Sequence, residues 1–103
     1  MTRHLIVAPC ARSDLADIIS YIELRNEAAA QRVLVNFKQE FWKLMHTPTL
    51  GHARPDVPDT RLRFWRVYSY MIAYRFDETR VEIQRIIHGH RDFTTIFGDA
   101  GKE

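Results

Sequence analysis

The apolar periodicity of this 103-residue chain changes once, near Arg61. Before that point, Leu15, Ile18, Ile19 and Ile22 follow the i, i+3, i+4, i+7 spacing of a helix that buries one side. Ala30, Val33, Leu34, Phe37, Phe41, Leu44 and Met45 repeat the helical period on a second segment. From Arg61 onward, RLRFWRV, YMIAYRF and VEIQRIIH are rich in β-branched and aromatic residues, which favour a pleated, half-buried surface. Helices grouped first and strands grouped after predict an α+β fold in one domain spanning residues 1–103.

Local signals set the expected boundaries. RHLIVAP reads as a short strand closed by Pro9, and Asp14 is expected near the start of the first helix, where the helix dipole favours negative charge. Asn26 is a natural N-cap for the second helix, and Pro48 and Gly51 prevent its continuation. Two amphipathic helices joined by so short a turn should fold back as a hairpin. Residues 48–60 hold three of the four prolines and read as an irregular connection. Short turns at Tyr68–Ser69 and Asp77–Thr79 make the last three strands a meander. The expected architecture is a small antiparallel sheet, with the N-terminal strand at one edge of a three-stranded meander and the two-helix hairpin over one face. Residues Phe93 to Phe97 are expected to form a last short helix before a frayed tail.

Composition narrows the function classes. An apolar fraction of 46% is ample for a folded globule. The formal charge of +2 hides an asymmetry, because Arg61 to Arg91 includes seven arginines against Asp77, Glu78 and Glu82. That half suggests an anionic partner, although a solvated arginine face is the plainer reading. Cys10 is the sole cysteine, so no internal disulfide forms, which fits a reducing, cytoplasmic setting. It reads as a small buried residue or a helix-start residue. LIVAPCA is too short for a signal peptide, and no run approaches membrane-spanning length.

Candidate chemistry is concentrated in the strands. Period two places Arg61 and Arg63 on one side of their strand, with Leu62, Phe64 and Arg66 on the other. Arg75 closes the next strand, and Arg85 sits mid-strand among Ile83, Ile86 and Ile87. A charge there needs a carboxylate such as Glu82 or Asp92, or a cleft to point into. His88 and His90 share a strand face and are open to acid–base work, with Arg91 able to stabilise an anionic phosphate. A zinc site needs a third ligand, and His4, His46 and His52 fit no motif spacing, so no metal is expected. Asp14 and Asp17 read as a solvated helix face, and Tyr70 and Tyr74 as sheet packing.

In order and spacing, PCARSDLADIISYIELRN, LRFWRVYSYMIAYRF and VEIQRIIHGHRDF resemble the RelE/ParE superfamily of bacterial toxins, the ParE branch above all. His88, Gly89, Arg91 and Asp92 match the family's H-G-x-R-D. The resemblance implies the toxin of a type II toxin–antitoxin pair, held by a ParD-like antitoxin in a hetero-oligomer, with DNA gyrase as target and no cofactor. It implies no catalytic residues for the ParE branch. RelE-like members cut messenger RNA on the ribosome with a basic cluster and usually a C-terminal tyrosine or histidine. After Arg91 this chain has only Phe93 and Phe97 as aromatics, and phenylalanine cannot exchange a proton. Gyrase inhibition is therefore the expected activity. The alternatives are a ribosome-dependent endonuclease using His88, His90 and Arg91, and a non-toxic antitoxin-binding module. Arg63, Arg75, Arg85 and Arg91 are the expected basic target surface, with Arg91 and Asp92 also closing the sheet end as a polar pair. On that reading, Arg85→Ala loses toxicity and keeps the fold. Tyr21, Trp42 and Trp65 are the expected exposed anchors for the antitoxin.

Overall fold

The computed structural model describes residues 3–88. Over that span the change of periodicity becomes a change of layer. Strand β1 (His4–Val7) leads into helix α1 (Pro9–Glu23) and helix α2 (Glu27–His46), followed by a single 3-10 turn at Pro48–Leu50. Strands β2 (Arg63–Val67), β3 (Tyr70–Phe76) and β4 (Arg80–His88) complete the order. The expected helix at Phe93–Phe97 lies outside the described residues.

Local chemistry explains the helix ends. Pro9 opens α1 instead of merely closing β1, because its fixed φ suits the first helical turn and the N–H it lacks would have gone unpaired there. Asp14 therefore sits beyond the first turn, which holds no acidic residue. Asn26 caps α2 as expected, its Oδ1 accepting the Ala29 N–H at 3.0 Å. Only Leu24 to Asn26 separate the helices, so they return on one another as a hairpin.

The sheet order is β1-β4-β3-β2. β2, β3 and β4 form the antiparallel meander, but β1 pairs with β4 in parallel, with Leu5 opposite Val81. The sheet is therefore mixed and not wholly antiparallel. The helical hairpin intervenes between β1 and the meander, and a crossover of that length returns the chain in the same direction. Tyr68 turns the β2–β3 hairpin in the left-handed region, at φ 56°.

Each face of the sheet has its own core. Phe37, Phe41 and Leu44 of α2 pack on Val67, Ile72, Tyr74, Val81, Ile83 and Ile86. On the other face, Val57 and Leu62 from the proline-rich connection cover Phe64, Met71, Ala73 and Ile87. A bulge in β4 reconciles the two. Ile83 lies opposite Tyr74 and Arg85 opposite Ala73, leaving Gln84 as the extra residue. Strict alternation would put Ile83 and Ile86 on opposite faces, and the bulge brings both to the helices.

The connection after α2 is clamped by Tyr74, which is fully buried. Its hydroxyl donates to the Pro48 carbonyl at 2.6 Å and accepts the Gly51 N–H at 2.8 Å. A Cβ on Gly51 would stand 2.4 Å from that hydroxyl and 2.9 Å from the Phe64 carbonyl oxygen. Gly51→Ala is expected to cost about 1–3 kcal/mol in chemical denaturation. An unchanged midpoint would show that the loop yields freely. Burial pushes the Tyr74 phenol above its usual 10.0, outweighing the opposing Gly51 hydrogen bond and the Arg63 charge. Because the unfolded tyrosine ionises first, this contribution is intact below pH 10 and is lost as pH rises through the folded pKa. Tyr74→Phe should flatten that alkaline limb in a pH series of unfolding midpoints.

Candidate functional site

The arginines expected to form one basic surface stand in separate settings. Arg63 faces the helix side beside its cross-strand partner Tyr74. Its Nη1 donates to the Gly51 carbonyl at 2.8 Å, and its guanidinium lies 5.6 Å from the Phe76 ring centroid. Arg75 points to the opposite face, where its Nη2 meets Glu82 Oε1 at 3.3 Å. Glu82 Oε1 also accepts from Gln84 Nε2. Among the described residues Arg85 pairs with Asp14 and not with Glu82. Its Nε and Nη2 grip Asp14 Oδ2 and Oδ1 at 2.8 and 3.2 Å, and the Ile86 N–H donates to the same Oδ2 at 2.9 Å. Asp14 is thus the anchor of α1 on β4 and not part of a solvated face. Arg91 lies outside the described residues, as do His90 and Asp92.

A cleft of about 580 Å³ between α1 and the ends of β3 and β4 unites residues that the sequence assigned to different roles. Asp17 and Tyr21 come from α1, Tyr70 from β3, and Arg85 and His88 from β4. The His88 ring stands edge-on to Tyr70, with centroids 5.3 Å apart at 81°. This arrangement offers one imidazole for proton exchange beside two phenols. The cation at hand, Arg85, is already matched by Asp14. No metal-ligating group of three is present among the described residues.

The expected apolar anchors also divide. Tyr21 is 55% exposed with the Arg25 guanidinium 4.6 Å from its ring, and Trp42 is 60% exposed with its ring stacked on His46 at 3.9 Å. Trp65 is not an exposed anchor. It is partly buried, and its Nε1 donates to Glu40 Oε1 at 2.8 Å, tying β2 to α2. Burial pushes the Glu40 carboxyl up, but hydrogen bonds from Lys43 and Trp65 outweigh it and hold the group below its usual range. Cys10 stands exposed at the start of α1, which resolves the helix-start reading over the buried one.

Sequence reasoning missed an apolar groove of about 500 Å³ where β1 meets both helices. Leu5, Val7, Leu15, Ile19, Leu34 and Phe41 line it, with Arg12 and Lys38 at its rim. β1 is an edge strand, and Leu5 and Ile6 remain partly open to solvent beside the groove. The signal was in the stripe itself. Leu15 and Ile19 were read as core, yet only the crossover placed them where β1 fails to cover them.

Residues 5–93 match the family model described as ParE toxin of type II toxin-antitoxin system, parDE. The chain belongs to the ParE toxin family. It is a ParE/RelE-type toxin of a type II toxin–antitoxin system. Among solved structures, the chromosomal ParDE toxin–antitoxin system of P. aeruginosa is similar at 17% identity and a TM-score of 0.71, over 84% of this chain and 96% of that one. The toxin–antitoxin complex RelBE2 of Mycobacterium tuberculosis is similar at 22% identity and a TM-score of 0.59, over 85% and 99%. Both likenesses concern the shared fold of two helices on a four-stranded mixed sheet. No curated protein sequence matches the chain significantly. Among the described residues of this ParE-family chain, no helix is long and apolar enough to cross a membrane.

The ion pairs make the arginines unequal in stability. Arg85→Ala strands a carboxylate that also holds a backbone N–H, and should cost about 1–3 kcal/mol. Arg75→Ala loses a more exposed pair and should cost less than about 1 kcal/mol. Chemical denaturation of both variants checks this, and equal small losses would mean that the Asp14 link contributes little.

Proposed function

We propose that this toxin inhibits DNA gyrase and is held inactive by a ParD-like antitoxin in a hetero-oligomeric complex. The match to the ParE family over most of the chain is the observation that carries this reading. The dispersal of the arginines supports it. A ribonuclease needs cations and an acid–base group gathered on one phosphodiester. Here Arg63 and Arg75 face opposite sides of the sheet, and Arg75 and Arg85 already hold carboxylates. Phe93 and Phe97, the aromatics that follow Arg91 in this sequence, cannot exchange a proton, which points the same way.

The groove at the β1 edge is the better docking place for the antitoxin than Trp65. Apolar side chains form its floor, while Arg12 and Lys38 suit an amphipathic segment whose flanks carry carboxylates. Tyr21 and Trp42 remain exposed outside that floor and can extend the contact. Cofactors have no part in this reading.

A supercoiling assay with purified toxin, run beside ribosome-dependent cleavage of a defined message, tests the target. Blocked supercoiling with the message intact is the expected result. A cut message with supercoiling untouched would transfer the activity to His88 and its neighbours, and neither effect would leave an antitoxin-binding module. For the partner, Ile19→Glu should abolish co-purification with the cognate antitoxin, whereas Val35→Glu on the outer side of α2 should not. Equal retention by both would remove the groove from the interface.

A further inference from the structure

Five arginines lie around the end of the sheet where Phe76 closes β3, with Arg63 on its helix side and Arg75 on the other. Three of them are ion-paired: Arg61 with Asp59 at 3.2 Å, Arg75 with Glu82 at 3.3 Å and Arg80 with Asp77 at 3.7 Å. With Phe76 they frame a cleft of about 320 Å³. Arg3 and Arg63 are held differently. Arg3 Nε donates to the Asp77 backbone carbonyl at 2.7 Å, and its guanidinium sits 5.7 Å from the Phe76 centroid. Arg63 donates to the Gly51 backbone carbonyl and sits 5.6 Å from the same centroid. Neither has a carboxylate within ion-pair distance among the described residues.

This difference has a chemical meaning. A carbonyl oxygen and an aromatic face fix the position of a guanidinium without cancelling its charge. Each guanidinium also retains N–H donors beyond the one it spends on the carbonyl. Two cations held against one ring have therefore lost much of their side-chain freedom before any ligand arrives. Such preorganisation strengthens a charge-assisted hydrogen bond to an incoming oxyanion.

Two observations select the class of oxyanion. The Phe76 ring is already engaged by two guanidiniums, so it is not free to stack on a base as single-stranded nucleic acid would require. The carboxylates of Asp59, Asp77 and Glu82 are interleaved with the arginines, and a continuous polyphosphate backbone would meet them at close range. A peptide with carboxylates spaced by neutral residues meets the cations and avoids the anions. We propose that Arg3 and Arg63, held against Phe76, form a docking site for a carboxylate-bearing segment of a partner protein. Neither arginine nor Phe76 lines the apolar groove, so this site stands independently of where the antitoxin's apolar segment binds.

Fluorescence anisotropy of the full chain with a labelled peptide of alternating glutamate and serine tests the site, with an oligothymidine of equal charge alongside. Arg3→Gln and Arg63→Gln should each weaken peptide binding about tenfold at low salt, the effect of losing one charge-assisted contact. Arg32→Gln, which removes an exposed arginine from the outer side of α2, should leave it within about twofold, as expected of a contactless surface charge. Thermal melts report whether each variant is folded. If Arg63→Gln is not, Arg3→Gln alone decides, since its side chain does not hold the Gly51 loop. The proposal is overturned if the wild type does not bind the peptide, if Arg32→Gln weakens binding as much as Arg3→Gln, or if oligothymidine binds more tightly through the same two arginines.

Discussion

The Asp14 carboxylate is the joint on which the layers of this fold turn. It accepts two N–H groups from Arg85 and the backbone N–H of Ile86. β1 ends opposite Ile83, so among the described residues this edge of β4 has no strand neighbour beyond it, and a backbone donor left open in a half-buried strand is costly. A helix carboxylate supplies the missing acceptor and neutralises the one arginine set deep in the strand. The bulge at Gln84, just before Arg85 and Ile86, lets Ile83 and Ile86 enter one core. Helix placement, strand register and core composition therefore share one polar contact.

Much of the fold was legible because it follows from local rules. The Asn26 cap, the end of α2 before Pro48 and the two short turns of the meander each needed only neighbouring residues. What could not be read depends on contacts across the chain. Nothing near Asp14 announces Arg85, and the pairing appears only when α1 lies over β4. The direction of β1 follows from how the crossover returns, and a four-residue strand has too little pattern to declare it. Period two correctly placed Leu62 and Phe64 together on one face. It could not place Arg85, because the bulge at Gln84 resets the alternation and leaves no mark in the sequence.

The candidate site was legible in part for the same reason. The sequence lists the arginines and histidines of these strands, but charge along a strand says nothing about who neutralises it. Arg63, Arg75 and Arg85 look equivalent in one dimension. In the fold the first is fixed by a carbonyl and a ring, the second by a carboxylate on its own sheet face, and the third by a carboxylate on a helix. Exposure misled in the other direction for Trp65, whose indole N–H has a partner on α2. The apolar groove arises from an incomplete cover, since β1 is too short to shield the stripe that α1 turns towards it.

The pairing of β1 with β4 has a consequence in time. Among the described residues β1 finds its strand partner in β4, across both helices and the β2–β3 hairpin. Until β4 emerges, α1 has no sheet to anchor Asp14, and Leu5 and Val7 have no neighbouring strand. Contacts of such long sequence separation are closed late and slowly, after the loop entropy of the intervening chain has been overcome. The helical hairpin can form early from local contacts, but the layered structure cannot be assembled on a truncated chain. A copy that ends before β4 therefore lacks the strand that joins β1 to the β2–β3 hairpin, so the surfaces built across it come into being only once β4 is in place.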